Sequence, residues 1–140
     1  MKLAFDVIGA PAPQGSKRFV GLSRAGRGIM IESCKAVKPW RMDVASFALK
    51  AMLDQRMQLF TGAVRVTITF RLRRPKGLPL KVKYHTKKPD ADKLTRSTFD
   101  AMTVAGVWND DSQVVSQRID KRYACPGETT GALIMVEDMT

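Results

Sequence analysis

The chain opens on an alternation of apolar and polar positions. Leu3, Phe5 and Val7 share one face of an extended segment and predict a first strand. Gly9-Ala-Pro-Ala-Pro-Gln-Gly15 ends it, because that segment sustains neither a sheet nor a helix. Ser16 to Gly28 is basic and glycine-rich, and predicts a mobile loop or loose hairpin leading into a short strand at Ile29 to Ile31. The period then changes. Trp40, Val44, Phe47 and Ala51 recur at i, i+4, i+7 and i+11, the apolar stripe of a helix from about Lys38 to Met57 with Pro39 in its first turn. Trp40 reads as core here, not as a platform for bases. Ala63 to Leu72 then alternates Val64, Val66, Ile68, Phe70 and Leu72 with Arg65, Thr67, Thr69 and Arg71, the strongest strand pattern in the chain. Its polar face predicts a wet, positive side of the sheet that displays both arginines.

Arg73 to Pro89 is basic and broken by proline, and predicts a surface loop. A second helix is expected from near Asp92 to a terminal Gly106, with Leu94, Ala101, Met102 and Ala105 on its buried side. Two strands close the chain, Val114 to Tyr123 and Ala132 to Val136, joined through the Pro126-Gly127 turn. The order β–(β)–α–β–α–β–β describes a single compact α/β domain over residues 1–140, with a mixed β-sheet and two main helices.

Composition excludes several classes. A chain of 140 residues, 44% of them hydrophobic, supports one domain with a real core. Its apolar runs fall short of the ~18 residues of a membrane helix, and Asp6 interrupts the only N-terminal apolar stretch, so neither a membrane span nor a secretory signal is expected. Cys34 and Cys125 are too few and too far apart for a disulfide scaffold or a four-thiolate zinc site, and read as reduced packing cysteines of a cytoplasmic protein. His85 is the only histidine, which excludes His-rich zinc sites. Gly15-Ser16-Lys17 inverts the order of a P-loop, so no nucleotide cofactor is expected.

Charge supplies the positive clue. A net charge of +11 creates a field that concentrates polyanions, of which nucleic acid is the commonest soluble one. Residues 55–89 contain no acid, whereas 90–111 hold five of the thirteen: Asp90, Asp92, Asp100, Asp110 and Asp111. Capping would explain Asp90 or Asp92 taken singly, and Asp110-Asp111 taken singly would fit a plain turn. Together they repel phosphate on a surface otherwise built to attract it, unless a divalent cation reverses the sign. Hard carboxylate oxygens suit Mg²⁺ or Mn²⁺. Asp111 is expected to reach Asp90 and Asp92 because the chain turns back at Gly106. Asp92, Arg96 and Asp100 share a helical face, which places Arg96 one turn from the cation as a purely electrostatic group.

The blocks Lys88-Pro-Asp-Ala-Asp92-Lys-Leu94, Phe99-Asp-Ala-Met102 and Ala105-Gly-Val-Trp-Asn-Asp-Asp-Ser-Gln-Val-Val115 resemble the RusA family of Holliday junction resolvases. The proline-rich segment at 9–17 is similar to that family's as well. The resemblance implies a dimeric, Mg²⁺-dependent, structure-selective endodeoxyribonuclease of recombination and repair that nicks four-way DNA junctions in symmetric pairs, often phage- or prophage-encoded and acting in the cytoplasm of a bacterial or phage-infected cell. It implies Asp90, Asp92 and Asp111 as metal-binding catalytic carboxylates, with Asp110 as a supporting acid. Asp100, on the Arg96 face, is a second supporting candidate. Arg96 stands where the family usually has a lysine, and Lys93 where it usually has an asparagine. Lys17, Arg18, Arg24, Arg27, Arg73, Arg74, Lys76, Lys87, Lys88 and Lys93 are the expected backbone-phosphate contacts. Two other readings of the residues stand beside this one: a metal nuclease for other branched or single-stranded nucleic acid, and a non-catalytic basic DNA-binding protein.

Overall fold

In the computed structural model, residues 1–15, 17–24, 26, 28–32 and 35–139 are described. In chain order the elements are β1 (Lys2–Ile8), β2 (Lys17–Leu22), β3 (Gly28–Glu32), α1 (Val37–Asp54), β4 (Val64–Leu72), α2 (Ala91–Ala105), β5 (Val114–Tyr123) and β6 (Gly131–Asp138), with a short 3₁₀ turn, Asp111–Gln113, ahead of β5. The basic glycine-rich stretch forms the hairpin β2–β3, irregular between Phe19 and Gly21. The other four strands make one sheet in the order β1-β6-β4-β5. Its β1–β6 and β6–β4 pairs are antiparallel and its β4–β5 pair is parallel, so the sheet is mixed, as expected. The last two strands are consecutive in sequence yet unpaired, because β4 lies between them.

Register turns alternation into a core. Leu3, Val136 and Val66 form one row across the sheet, Phe5, Ile134 and Ile68 the next, and Val7, Ala132 and Phe70 a third. All nine are buried, and they pack against Trp40, Val44, Leu94 and Met102 from the two helices. Trp40 is core, as read, and its indole Nε1 donates to Thr98 Oγ1 at 3.1 Å. The most buried positions of α1 are Val37, Trp40, Val44, Ala48 and Met52, while Phe47 and Ala51 are only partly buried beside that line. α1 lies against both β1 and α2, which rotates its buried arc from the predicted stripe. It also stops at Asp54, short of Met57, where Arg56 adopts a left-handed φ of 52°.

Two expectations are corrected. Arg65 is exposed on the open face of the sheet, but Arg71 is buried. Its guanidinium pairs with Asp6 at 2.8 Å and donates to Thr129 O at 3.0 Å and Val7 O at 3.3 Å. Gly131, its partner on β6, has φ +150°, and a Cβ there would meet Val7 O at 1.8 Å. A residue without a side chain is what leaves room there for the guanidinium, whose Nη2 such a Cβ would meet at 2.8 Å. Cys125 is likewise not a packing residue but a free, exposed thiol between β5 and β6; Cys34 lies outside the described residues. The same connection is stapled by Glu128, which accepts from Arg122 at 2.7 and 2.9 Å and from Cys125 N at 2.9 Å. The paired guanidinium holds the Glu128 carboxyl down at about 2. No described helix is long and apolar enough to cross a membrane.

Arg71→Met should destabilise the fold by about 2 kcal/mol, because it strands two carbonyls and the Asp6 carboxylate, which is half-exposed. Urea unfolding checks this, and Arg65→Met on the exposed position of the same strand should be near neutral.

Candidate active site

The N-terminus of α2 is assembled by bonds that the sequence pattern does not advertise. Asp90 occupies the N-cap position with φ −72° and ψ 143°, yet its side chain makes no capping hydrogen bond. The local capping reading of Asp90 is therefore not realised, and its carboxylate stays available. The Gly9–Gly15 segment instead packs against the helix: Ser97 Oγ donates to Ala12 O at 2.7 Å, and Gln14 N donates to Lys93 O at 3.0 Å. From the other side, Lys121 Nζ donates to Lys87 O and to Pro89 O, both at 2.7 Å. Between these supports lies a groove of about 530 Å³ lined by Pro11–Gly15, Ala36, Lys88, Pro89, Asp90 and Lys93.

Asp92, in the first turn, is exposed, and so is Arg96 one turn further on. Neither is ion-paired among the described residues. Asp100, on the same face, is bound to Arg41 of α1 at 3.1 Å, and Arg41 also donates to Gln14 Oε1. That makes Asp100 a strut between the helices. Asp110 is engaged too, as the N-cap of the 3₁₀ turn: its carboxylate accepts from Ser112 N, while Gln113 Oε1 accepts from Asn109 N and Asp110 N at 2.8 and 3.1 Å. Gln113 then donates to Phe60 O and Gly62 O, which fixes this turn to the loop before β4.

Asp111 stands next in that turn, with its carboxyl pushed above the usual range by partial burial, then by a shared hydrogen bond with Asp110 and the charges of Asp110 and Asp100. Asp110 is shifted the other way by its bonds to Ser112. The charges that act on Asp111 are thus those of Asp110 and Asp100. Among the described residues no three Asp, Glu, His or Cys side chains come together as a metal cluster. The expectation that Asp111 folds back onto Asp90 and Asp92 within one chain is therefore not met. Topology supplies the reason. Lys121, beside Asp90, is seven strand residues beyond Val114, roughly 23 Å along β5, and Asp111 precedes Val114.

A divalent cation still fits the Asp90–Asp92 end on its donor chemistry. Mg²⁺ is commonly held by one or two carboxylates, with water and substrate phosphate completing its shell, and not by an all-protein cage. The Asp90 carboxylate makes no capping bond and lines the groove, which leaves its oxygens available to such a cation. Of the expected phosphate contacts, Lys88 and Lys93 line the groove with it, while Arg73, Lys76 and Lys87 are exposed. Arg74 is placed differently, donating to Ala124 O and Pro79 O with its guanidinium 5.4 Å from the Tyr123 ring. Arg24 is exposed; Arg27 and the side chains of Lys17 and Arg18 lie outside the described residues. Sequence reasoning missed Gln14, Arg41, Ser97 and Lys121. Only Lys121 left a trace, as a charge in the alternation Ile119, Lys121, Tyr123.

Fold and site together describe a basic α/β protein with carboxylates at a helix start. The family model described as endodeoxyribonuclease RusA matches residues 9–137. The crossover junction endodeoxyribonuclease RusA of Escherichia coli (strain K12) is 30% identical over 125 residues, covering 86% of this chain and 85% of that protein. That of Enterobacteria phage 82 is 41% identical over 56 residues, 36% of this chain and 47% of the phage protein. The chain belongs to the RusA endodeoxyribonuclease family, and it is a nuclease.

Asp111→Asn should raise thermal stability slightly at pH 7. A carboxyl raised in the fold loses stability as pH rises from its unfolded to its folded value, and its ionised form weakens folding fully above the folded value. The gain should therefore shrink as pH falls back through that interval, which melting curves from pH 3 to 8 would reveal.

Proposed function

We propose that the protein is a Mg²⁺-dependent, structure-selective endodeoxyribonuclease that resolves four-way DNA junctions in recombination and repair; its relatives are named crossover junction endodeoxyribonucleases. The observation that carries this is the Asp90 carboxylate, left uncapped at the mouth of a groove on a strongly basic protein. Asp90 and Asp92 would hold the cation, which when bound polarises the scissile phosphate and lowers the pKa of an attacking water. Arg96 faces the charge that builds on the phosphate and, being always protonated, acts only electrostatically. Lys87, Lys88 and Lys93 grip backbone phosphates on either side of the groove, without reading bases.

A junction needs two opposed cuts, so a homodimer with a twofold axis is the natural assembly. It also offers Asp111 a role. The crossover sends Asp111 to the far end of α2 in its own chain, and a second copy would bring it to the Asp90–Asp92 pair.

Asp90→Asn should bind a four-way junction as tightly as the unaltered protein, yet fail to nick it with Mg²⁺. Arg96→Ala should slow single-turnover cleavage by roughly 10²–10³ with a smaller loss of binding. Comparing a junction, a flap and plain duplex tests the substrate class, and equal cutting of all three would reject junction selectivity. Mixing the Asp90→Asn and Asp111→Asn proteins tests the shared site. If each site draws on both chains, every mixed dimer keeps one intact site and nicks one strand; if each site lies within one chain, the mixture stays dead.

A further inference from the structure

Lys121 occupies a place that the sheet otherwise gives to apolar side chains. Its row runs Val7, Ala132, Phe70, Lys121, and the first three are fully buried. An ammonium facing that layer is costly unless its protons are taken up. No described carboxylate takes them. Instead Nζ reaches over the edge of the sheet and donates to Lys87 O and Pro89 O, both at 2.7 Å. The surrounding loop carries like charge, in Lys87 and Lys88, so attraction between side chains does not explain the placement. The backbone does: both acceptors lie in the last turn of chain before Asp90, and Pro89 O belongs to the peptide that leads directly into it.

Two further bonds between this loop and β5 sit upstream, His85 N to Lys121 O at 3.3 Å and Tyr123 N to Lys83 O at 2.9 Å. They fix the loop as far as His85. The ammonium extends that restraint to the peptide from which the Asp90 side chain departs. This matters because Asp90 does not anchor itself by capping α2. A carboxylate that is to ligate a cation needs its direction set by something other than its own oxygens, and neighbours that orient ligands typically change affinity when removed.

We propose that Lys121 is a positioning residue for the cation site, holding the carbonyls of Lys87 and Pro89 so that the Asp90 carboxylate is presented to the divalent ion at the groove. The proposal rests on the reading of Asp90 as a metal ligand. It is tested by titrating Mn²⁺ alone into the DNA-free protein and following free Mn²⁺ by electron paramagnetic resonance. The unaltered chain, Asp90→Asn and Lys121→Met are compared, with junction binding in the absence of divalent ions and thermal unfolding measured alongside. Lys121→Met should weaken Mn²⁺ binding by roughly 10- to 100-fold, while metal-free junction binding stays unchanged. Wild-type Mn²⁺ affinity in Lys121→Met, even with a lowered melting temperature, would make the ammonium a simple loop staple and overturn the proposal while leaving the cation site standing. Mn²⁺ binding that Asp90→Asn leaves intact would instead remove the cation site, and this inference with it. Should Lys121→Met not fold, Lys121→Gln takes its place, since its shorter amide keeps a donor without spanning both carbonyls. The same weakening is expected of it, and wild-type affinity there overturns the proposal equally.

Discussion

Parallel pairing of β4 with β5 is the constraint on which the rest of the structure depends. Two parallel neighbours cannot be joined by a tight turn, so the chain must travel back along the whole sheet between them. α2 makes that return journey, and its length and direction follow from the strands it connects. Four of the five acids between residues 90 and 111 sit at the two ends of this crossover. Asp90 and Asp92 lie where the basic loop meets the helix, and Asp110 and Asp111 lie where the chain turns into β5. A helix about as long as the strands it covers keeps its ends apart.

That separation gives the acids different physical lives. Asp110 is absorbed into the turn it caps, and Asp100 into the strut with Arg41. Asp90 stands at a helix start, where an aspartate ordinarily caps, and does not. Its neighbourhood is held by other means: the hydroxyl of Ser97, the backbone of Gln14 and the ammonium of Lys121. The supports use neutral donors and a cation, so the carboxylate is not consumed in making its own scaffold. Such a division between residues that hold and residues that bind is what a preorganised ligand site needs.

Much of the architecture was legible along the chain. Strict alternation in β1 and β4 fixed their buried faces, and Gly106 ended α2 with the left-handed φ of 80° that glycine tolerates. The corrections have local causes. Arg71 alternates like a surface residue, but the neighbouring backbone offers two carbonyls and Gly131 offers room, so burial costs it no hydrogen bonds. Thr95, Ser97 and Thr98 look polar and solvent-facing, yet all three are buried with their hydroxyls bonded to carbonyls of α2 or of the proline-rich segment. Binary patterning reads polarity, and polarity is silent about a partner that arrives from elsewhere in the chain.

By itself the sequence determined the α/β class, the two helices, the family motifs and the identity of the acids, because periodicity and residue spacing are local and survive without a partner. It could not determine where those acids end up relative to one another. Strand order and direction decided that, through hydrogen-bond ladders between segments far apart in the chain. They set Lys121 beside Pro89 and held Asp111 away from Asp90.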